Sequence, residues 1–296
     1  MATFYEHLSL VVGAAWKVLF ACLAYYYCTQ PTKEMAASLD PQWMLSVVSR
    51  DVLVTLFVGC LWDFIHLSDA SPWKVRLQPF KFKAGDPPSR QIPHDAFWAV
   101  VSAVVAAGWE IGLLHFWGKG QLHAATFPND AWYRDPTTVL LLLALPYIQI
   151  VHFYFIHRLM HKWDTPKGIF DLGEFLYRHV HSLHHLSRDP TAFSGISMHP
   201  VESTVFFSTM LIAGLLGAHP IVALHYKYYN IVVAMIGHES YGDPSTGGHS
   251  HWLHHQLIDL NFGGNFVPLD WWMGTYARDE DDFNALQERR KKSKEL

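Results

Sequence analysis

The sequence is poor in charge and in cysteine, and each shortage excludes a class of protein. Only 16% of its 296 residues are charged and the formal net charge is −4, so no broad basic surface is available for nucleic acid. Cys22, Cys28 and Cys60 are scattered, so they give neither a disulfide framework nor a C-x-x-C metal pair. N-glycosylation sequons are absent, and no basic segment precedes the first apolar run, so a cleaved signal peptide is not expected.

Half of the residues are hydrophobic, which predicts long apolar segments. A membrane-spanning helix needs about 20 mostly apolar residues. Four stretches meet this requirement: 8–28, 45–67, 96–117 and 137–156. Two shorter runs, 201–217 and 220–237, predict a helical hairpin that enters the membrane. The expected fold is therefore an all-α integral membrane protein with about four transmembrane helices plus a helical hairpin.

The distribution of positive charge predicts the orientation of these spans. The loop 68–95 carries five Lys or Arg residues, whereas the loop 118–136 carries two, so the first is expected to be cytoplasmic. Residue 157 then lies on the cytoplasmic side, and the hairpin returns the chain to that side. The segments outside the hairpin are therefore expected to form a cytosolic, histidine-rich catalytic cap. Lys292 and Lys294 resemble a dilysine retrieval signal, so the endoplasmic reticulum is the expected membrane.

Three histidine clusters carry the chemistry of the sequence. Residues 157–161 read H-x-x-x-H, and residues 181–185 and 251–255 each read H-x-x-H-H. On a helix, positions i, i+3 and i+4 share a face, so each cluster is predicted to point two or three imidazoles in one direction. Eight imidazoles exceed the needs of one tetrahedral zinc but suit two neighbouring metals, and iron accepts imidazole ligands.

The clusters resemble the histidine boxes of the fatty acid hydroxylase / sterol desaturase superfamily of membrane non-haem di-iron enzymes, with C-5 sterol desaturases as the most similar kind. Four shorter elements resemble the same family: Met198 to Glu202, Gly237 to Glu239, Asn261 to Gly263, and Leu269 to Thr275. The sequence departs from the family at Phe262, where Tyr is usual, and at Glu239, where Asp is common. Its link 162–180 is longer than expected and is predicted to form a lid or a membrane-surface helix.

The resemblance covers the middle of the chain, which sets the predicted domain boundaries. We expect an N-terminal membrane region at 1–136, a catalytic region at 137–276 and a polar basic tail at 277–296.

The resemblance also implies which side chains bind metal. Two iron ions are expected to bind His157, His161, His181, His184, His185, His238, His251, His254 and His255, and zinc could replace iron during overproduction. His199 is a candidate tenth ligand, with a structural role at the hairpin entrance as the alternative. Glu202, Glu239 and Asp270 are candidate catalytic-site carboxylates that accept imidazole N–H groups, with an ordinary capping or loop role as the alternative.

The implied reaction is O₂-dependent hydroxylation or desaturation of a lipid C–H bond, with a sterol as the leading substrate. A fatty-acyl or ceramide hydroxylase is the alternative within the same fold. The chain has no His-Pro-Gly-Gly haem element, so electrons are expected from cytochrome b5 and its NAD(P)H reductase. The substrate would enter from the bilayer, and no nucleic acid partner is expected.

Two other classes of protein remain alternatives. A histidine-rich metal transporter or sensor would place its ligands near the middle of broken membrane helices, whereas these clusters follow the ends of predicted spans. A bis-histidine haem protein would place paired histidines on facing spans. Metal analysis and an absorption spectrum distinguish these classes from an oxidative enzyme.

Overall fold

The computed structural model describes residues 19, 22, 25–26, 30–68, 88–122, 132–163, 165–166, 168–238, 247–264 and 267–295. Within these ranges every regular element is a helix and no β-strand occurs, which confirms the predicted all-α class. The α-helices are α1 Lys33–Ser38, α2 Pro41–Leu67, α3 Pro88–Gly118, α4 Pro136–Leu159, α5 Leu172–His179, α6 Pro200–Phe206, α7 Leu211–Leu215, α8 Ile221–Gly237, α9 Gly247–Leu257, α10 Leu269–Trp272 and α11 Glu280–Glu295. Short 3₁₀ helices occur at Trp132–Arg134, His181–Leu186, Ala192–Ile196 and Phe207–Met210.

Two of these helices are long and apolar enough to cross a membrane, namely Pro41–Ile65 within α2 and Arg90–Gly118 within α3. Helix α4 is a third candidate, although it is bent by 54° between Leu145 and Tyr147. The bend falls at Pro146, which lacks the backbone N–H that a straight helix needs. These three helices contain the predicted spans 45–67, 96–117 and 137–156, whereas most of the predicted span 8–28 lies outside the described residues.

The predicted hairpin forms two shorter apolar helical stretches, Pro200–Leu215 and Ile221–Gly237. The first stretch is interrupted by the 3₁₀ helix Phe207–Met210, and the second is the continuous helix α8. Helix α8 has 17 residues, which at about 1.5 Å per residue reach about 26 Å. That length is marginal for a hydrocarbon core of about 30 Å, so full crossing by the hairpin stays a prediction.

The chain divides into two compact units. Unit 1 comprises Met1–Thr55, Ala103–Ile148 and Ser203–Val233, and unit 2 comprises Leu56–Ser102, Gln149–Glu202 and Ala234–Leu296. The domain boundaries at residues 136 and 276 stay a prediction.

Unit 1 contains an apolar core and, separately, a buried group of charges. The core combines Ala36, Trp43 and Val47 with residues of α3 such as Ala107 and Ile111. Helix α1 begins after Thr32, whose side chain caps it by accepting the N–H of Met35 at 3.2 Å.

The buried charges of unit 1 explain why the predicted span 45–67 contains Arg50 and Asp51. Lys227, on α8, is fully buried and donates to Asp51 at 2.6 Å and also to Glu110. Arg50 donates to the same carboxylate oxygen of Glu110 at 2.5 Å, and Tyr228 donates to Asp51 at 2.9 Å. Because two acidic and two basic groups pair, the apolar helices carry these charges without a net charge among them.

In unit 2, the link between the first two histidine clusters contains a helix, as predicted. Helix α5 begins after Asp171, whose carboxylate accepts the N–H of Glu174 at 2.9 Å. The C-terminal tail forms α11, which starts with three acidic residues and contains the basic run 289–292. A role of the link as a lid or membrane-surface helix stays a prediction.

Candidate metal centre

The histidine clusters are held by three different kinds of local structure, all within unit 2. His157 lies in the last turn of α4, and His161 follows just beyond its end. The second cluster forms the 3₁₀ helix His181–Leu186, and the third lies on α9. His238 directly follows α8. Every one of these imidazoles is buried.

Nine of the ten predicted ligands converge into two groups whose candidate ligand atoms lie within 4.8 Å of one another. The first group is His157, His161, His181, His185 and His254. The second group is His184, His238, His251 and His255. The fold therefore gathers residues separated by up to about a hundred positions into two adjoining nitrogen-rich sites.

The second and third clusters each supply imidazoles to both groups, which differs from the predicted single direction. On an α-helix, successive residues are about 100° apart around the axis. Adjacent His254 and His255 therefore leave α9 in different directions, the first toward the first group and the second toward the second group. His184 and His185 separate in the same way on their 3₁₀ helix.

Backbone carbonyls fix the orientation of four of these rings. The Nδ1 atom of His157 bonds to the carbonyl of Phe262 at 2.7 Å, and that of His254 to the carbonyl of Leu260 at 2.6 Å. The remaining two bonds join His184 to Ser197 at 3.3 Å and His238 to Ala234 at 2.6 Å. A carbonyl can only accept, so each Nδ1 carries the proton and each Nε2 of a neutral ring carries a lone pair.

These lone pairs face one another, which decides how the site is interpreted. The Nε2 atoms of His184 and His238 lie 3.2 Å apart, although neither has a proton to share in the neutral form. Burial lowers the pKa of His238 well below its usual value and that of His184 to about 4, so protonation does not relieve this contact near neutral pH. Two lone pairs at that distance repel each other, and a cation bound between them would remove this repulsion.

The spacing of the ring nitrogens also fits metal coordination. Nitrogens that bind one metal at about 2.1 Å, with an angle near 90°, lie about 3 Å apart. The Nε2 atom of His185 lies 3.1 Å from that of His181 and 3.1 Å from that of His254. The Nε2 atoms of His238 and His251 are 2.7 Å apart.

Several buried imidazole nitrogens have no hydrogen-bond partner among the residues that the structure describes. Nε2 of His157, both ring nitrogens of His161 and both of His255 are in this state. An unsatisfied buried polar atom costs roughly 1–3 kcal/mol, so such a set is unfavourable unless the atoms bind something else. The residues present therefore fit two metal ions with imidazole ligands.

Glu202 contacts a histidine of the first group. Its Oε1 accepts from Nδ1 of His181 at 2.7 Å, while its Oε2 is buried and has no hydrogen-bond partner among the described residues. A metal bound through the other nitrogen of His181 would supply the positive charge that favours the ionised carboxylate.

Asp270 acts on the site through the backbone, not through the predicted bond to an imidazole. Its carboxylate accepts the N–H groups of Phe262 at 2.8 Å and Gly263 at 2.7 Å, and the hydroxyl of Thr275 at 2.7 Å. These bonds hold the loop whose Phe262 carbonyl orients His157. The motif elements 261–263 and 269–275 thus form one support for the first group.

His199 lies in neither group. Its Nδ1 accepts the backbone N–H of Val201 at 3.2 Å, which places it at the start of α6 in a capping position. This contact matches the structural alternative at the hairpin entrance. Glu239, the third predicted carboxylate, lies outside the described residues.

We predict that His199→Ala leaves the metal content of purified protein at the wild-type value. The substitution removes a helix cap, which typically costs about 1 kcal/mol of stability, but no member of either histidine group. Metal analysis of the folded variant checks this. Loss of one metal per chain would restore His199 as a ligand.

Sequence reasoning missed the acceptors that orient the rings. Backbone carbonyls carry no signature in the residue type, so the contributions of Leu260, Phe262, Ala234 and Ser197 were not predictable from their side chains. A weak signal existed in the Asn-Phe-Gly element, whose Asn261 side chain bonds the backbone of Ser250 and Ala277.

Comparison with known proteins agrees with this geometry. Residues 141–275 match the fatty acid hydroxylase family, and this range includes all the histidines of both groups. The resemblance first seen in the histidine boxes is thereby confirmed.

The chain is also similar to enzymes that are named for several lipids. Methylsterol monooxygenase 2-2 of Arabidopsis thaliana is 27% identical over 165 residues, which cover 51% of this chain and 56% of that protein. Very-long-chain aldehyde decarbonylase GL1-11 of Oryza sativa subsp. indica is 28% identical over 158 residues, with 49% and 54% covered. Sphinganine C4-monooxygenase 2 of Arabidopsis thaliana is 30% identical over 139 residues, with 42% and 49% covered.

The chain spans about half the length of the curated relatives that it matches. No solved structure matches it.

Proposed function

We propose that this protein is an O₂-dependent membrane oxidoreductase that uses two iron ions to oxidise a C–H bond of a lipid. The observation that supports it most strongly is the pair of histidine groups, in which neutral imidazoles point lone pairs at one another. The match to the fatty acid hydroxylase family, and the monooxygenases among the relatives, support oxidation over metal transport or sensing.

Iron would supply the activation of O₂, chemistry that no acid or base of the chain can perform. The protein contributes the ligands and their orientation. His157 and His254 in the first group, and His184 and His238 in the second, are held with Nε2 free by their carbonyl partners. Glu202 orients His181 in the same way through its carboxylate. Burial of all these rings excludes water from the ligand atoms.

A sterol is the leading substrate in this proposal. The similarity to a methylsterol monooxygenase favours it, while the similarity to a sphinganine C4-monooxygenase keeps a fatty-acyl or ceramide substrate as the alternative. The same names favour hydroxylation as the first reaction to test, with desaturation as the other outcome. Electrons would come from cytochrome b5 and its NAD(P)H reductase.

Lipid profiling tests this function. Cells that lack the protein are complemented with the wild type or with His254→Ala, and sterols, ceramides and acyl chains are compared. We expect one hydroxylated or newly unsaturated lipid to depend on the wild type, on O₂ and on an intact His254. Identical lipid profiles in the two complemented strains would refute lipid oxidation, and the class of the changed lipid separates the sterol from the alternative.

We also propose that the histidine groups face the cytosol at the endoplasmic reticulum. Tags at the N-terminus, in the loop 68–95 and at the C-terminus are then expected to be digested by protease added to sealed microsomes. A tag in the loop 118–136 is expected to be protected. Protection of the C-terminal tag would overturn this orientation.

A further inference from the structure

A mostly buried segment connects the second histidine cluster to α6. It contacts His184 of the second group and Ala234, whose carbonyl orients His238. Residues 187–197, here called the 187–197 segment, include the 3₁₀ helix Ala192–Ile196. Ser187, Ser194 and Ser197 within it are fully buried. Neither the metal chemistry nor the histidine motifs account for three buried serines here.

The three serines share one acceptor, Asp95, a fully buried residue on α3. Ser187 donates to it at 2.7 Å, Ser194 at 2.6 Å and Ser197 at 3.0 Å. His94 also contacts the carboxylate, at 3.1 Å. One turn earlier on α3, Gln91 donates to the backbone carbonyl of Asp189 at 2.8 Å. Helix α3 is therefore hydrogen-bonded to the 187–197 segment from two successive turns, through Gln91 and through Asp95.

The hydrogen bonds between Asp95 and the segment also fix the hydrogen-bond partner of His184. Ser197 donates its hydroxyl to Asp95, and its carbonyl accepts from Nδ1 of His184 at 3.3 Å. The position of that carbonyl decides which way the His184 ring faces. Asp95 is thus one residue removed from a member of the second group.

The segment also packs against the residue that orients His238. A Cβ added at Gly195 would lie 2.3 Å from the carbonyl oxygen of Ala234, so the two backbones are in close contact. That same carbonyl oxygen accepts from Nδ1 of His238 at 2.6 Å. His184 and His238 both belong to the second group and have facing Nε2 atoms.

We propose that Asp95, acting through the serines of the 187–197 segment, is a positioning residue for the second metal. This inference rests on the proposed two-metal centre. Asp95 lies outside the range 141–275 that matches the family. Residues that support the second metal would therefore include one outside that range. Loss of groups that orient metal ligands typically weakens metal binding 10–100-fold, and the effect here falls on one of two metals.

The test measures the release of each metal from purified, metal-loaded protein into a chelator. In Asp95→Asn we expect one metal per chain to leave about 10–100-fold faster than in the wild type, while the other keeps its wild-type rate. Ser197→Ala, which keeps the carboxylate, is expected to give a smaller acceleration of the same metal. Asp40→Asn in unit 1 is the matched control, because it makes the same change at a carboxylate that accepts the N–H of Trp43 at 2.9 Å and belongs to neither histidine group.

The outcomes are distinguishable. Wild-type release of both metals in Asp95→Asn and Ser197→Ala would overturn the inference. Equal acceleration of both metals, or faster release in Asp40→Asn, would overturn it as well. If Asp95→Asn does not fold, the release rate in Ser197→Ala decides. A wild-type protein with fewer than two bound metals would instead refute the proposed metal centre, and this inference with it.

Discussion

Substitution of His184 or His254 by Ala is expected to lower O₂-dependent product formation at least about 100-fold. Loss of an outer hydrogen-bond partner typically costs 10–100-fold, and a direct ligand should cost no less. The two residues belong to different groups, and each has Nδ1 held by a backbone carbonyl with Nε2 directed at its group. Either substitution should therefore disable one metal site. Product formation per folded protein, measured with reductant and substrate supplied, checks this.

The matched control is His115→Ala, in unit 1. His115 bonds the carbonyl of Ala36 at 3.0 Å and belongs to neither histidine group. It should retain near wild-type turnover. Turnover of His184→Ala and His254→Ala at the level of this control would show that the histidines serve another purpose.

Of all the proposed substitutions, Lys227→Met is expected to lower the free energy of unfolding most. Lys227 is fully buried and pairs with Asp51 at 2.6 Å and with Glu110. Without Lys227, the two carboxylates of this described group would have Arg50 as their one remaining cation. Removing one partner of a buried ion pair typically costs 3–5 kcal/mol, because the other charge stays buried without compensation. Thermal unfolding in detergent should show a midpoint lower by on the order of 10 °C.

A second substitution tests the physical reason. In the double variant Lys227→Met/Glu110→Gln, one positive and one negative charge are lost, so the remaining Arg50 and Asp51 balance. The double variant is expected to unfold at a higher temperature than Lys227→Met alone, and the difference measures the coupling between the sites. Equal midpoints for the wild type and Lys227→Met would contradict the importance of this charge group.

The histidine clusters were predictable because their spacing is local. Positions i, i+3 and i+4 lie close on any helical turn, so a cluster in the sequence remains a cluster in the fold. The all-α class and the long apolar helices α2, α3 and α4 were predictable for a similar reason, since the length of an apolar helix follows from the run of apolar residues.

The division of the clusters between two groups was not predictable from spacing. It depends on which way His184 and His185 turn relative to His251 and His255, and those residues are distant in the chain. The same limit applies to the charges of unit 1. Asp51 pairs with Lys227, 176 positions away, and Arg50 pairs with Glu110, 60 positions away, so the sequence alone does not explain the charges in the predicted span 45–67.

Asp95 illustrates the limit most clearly. In the sequence it is one carboxylate near the start of an apolar helix, with no spacing relation to any histidine cluster. Its proposed positioning role depends on hydrogen bonds from Ser187, Ser194 and Ser197, which lie 92 to 102 positions away. Such contacts follow from tertiary packing, which no local pattern encodes.

The number of metals per chain tests the central claim most directly. Protein purified from iron-supplemented cells, folded and free of loosely bound metal, is analysed for iron and zinc together. Two groups of neutral imidazoles predict about two metals per chain, with iron in the active form and zinc as a substitute on overproduction. One metal or none in well-folded protein would contradict the two-metal centre.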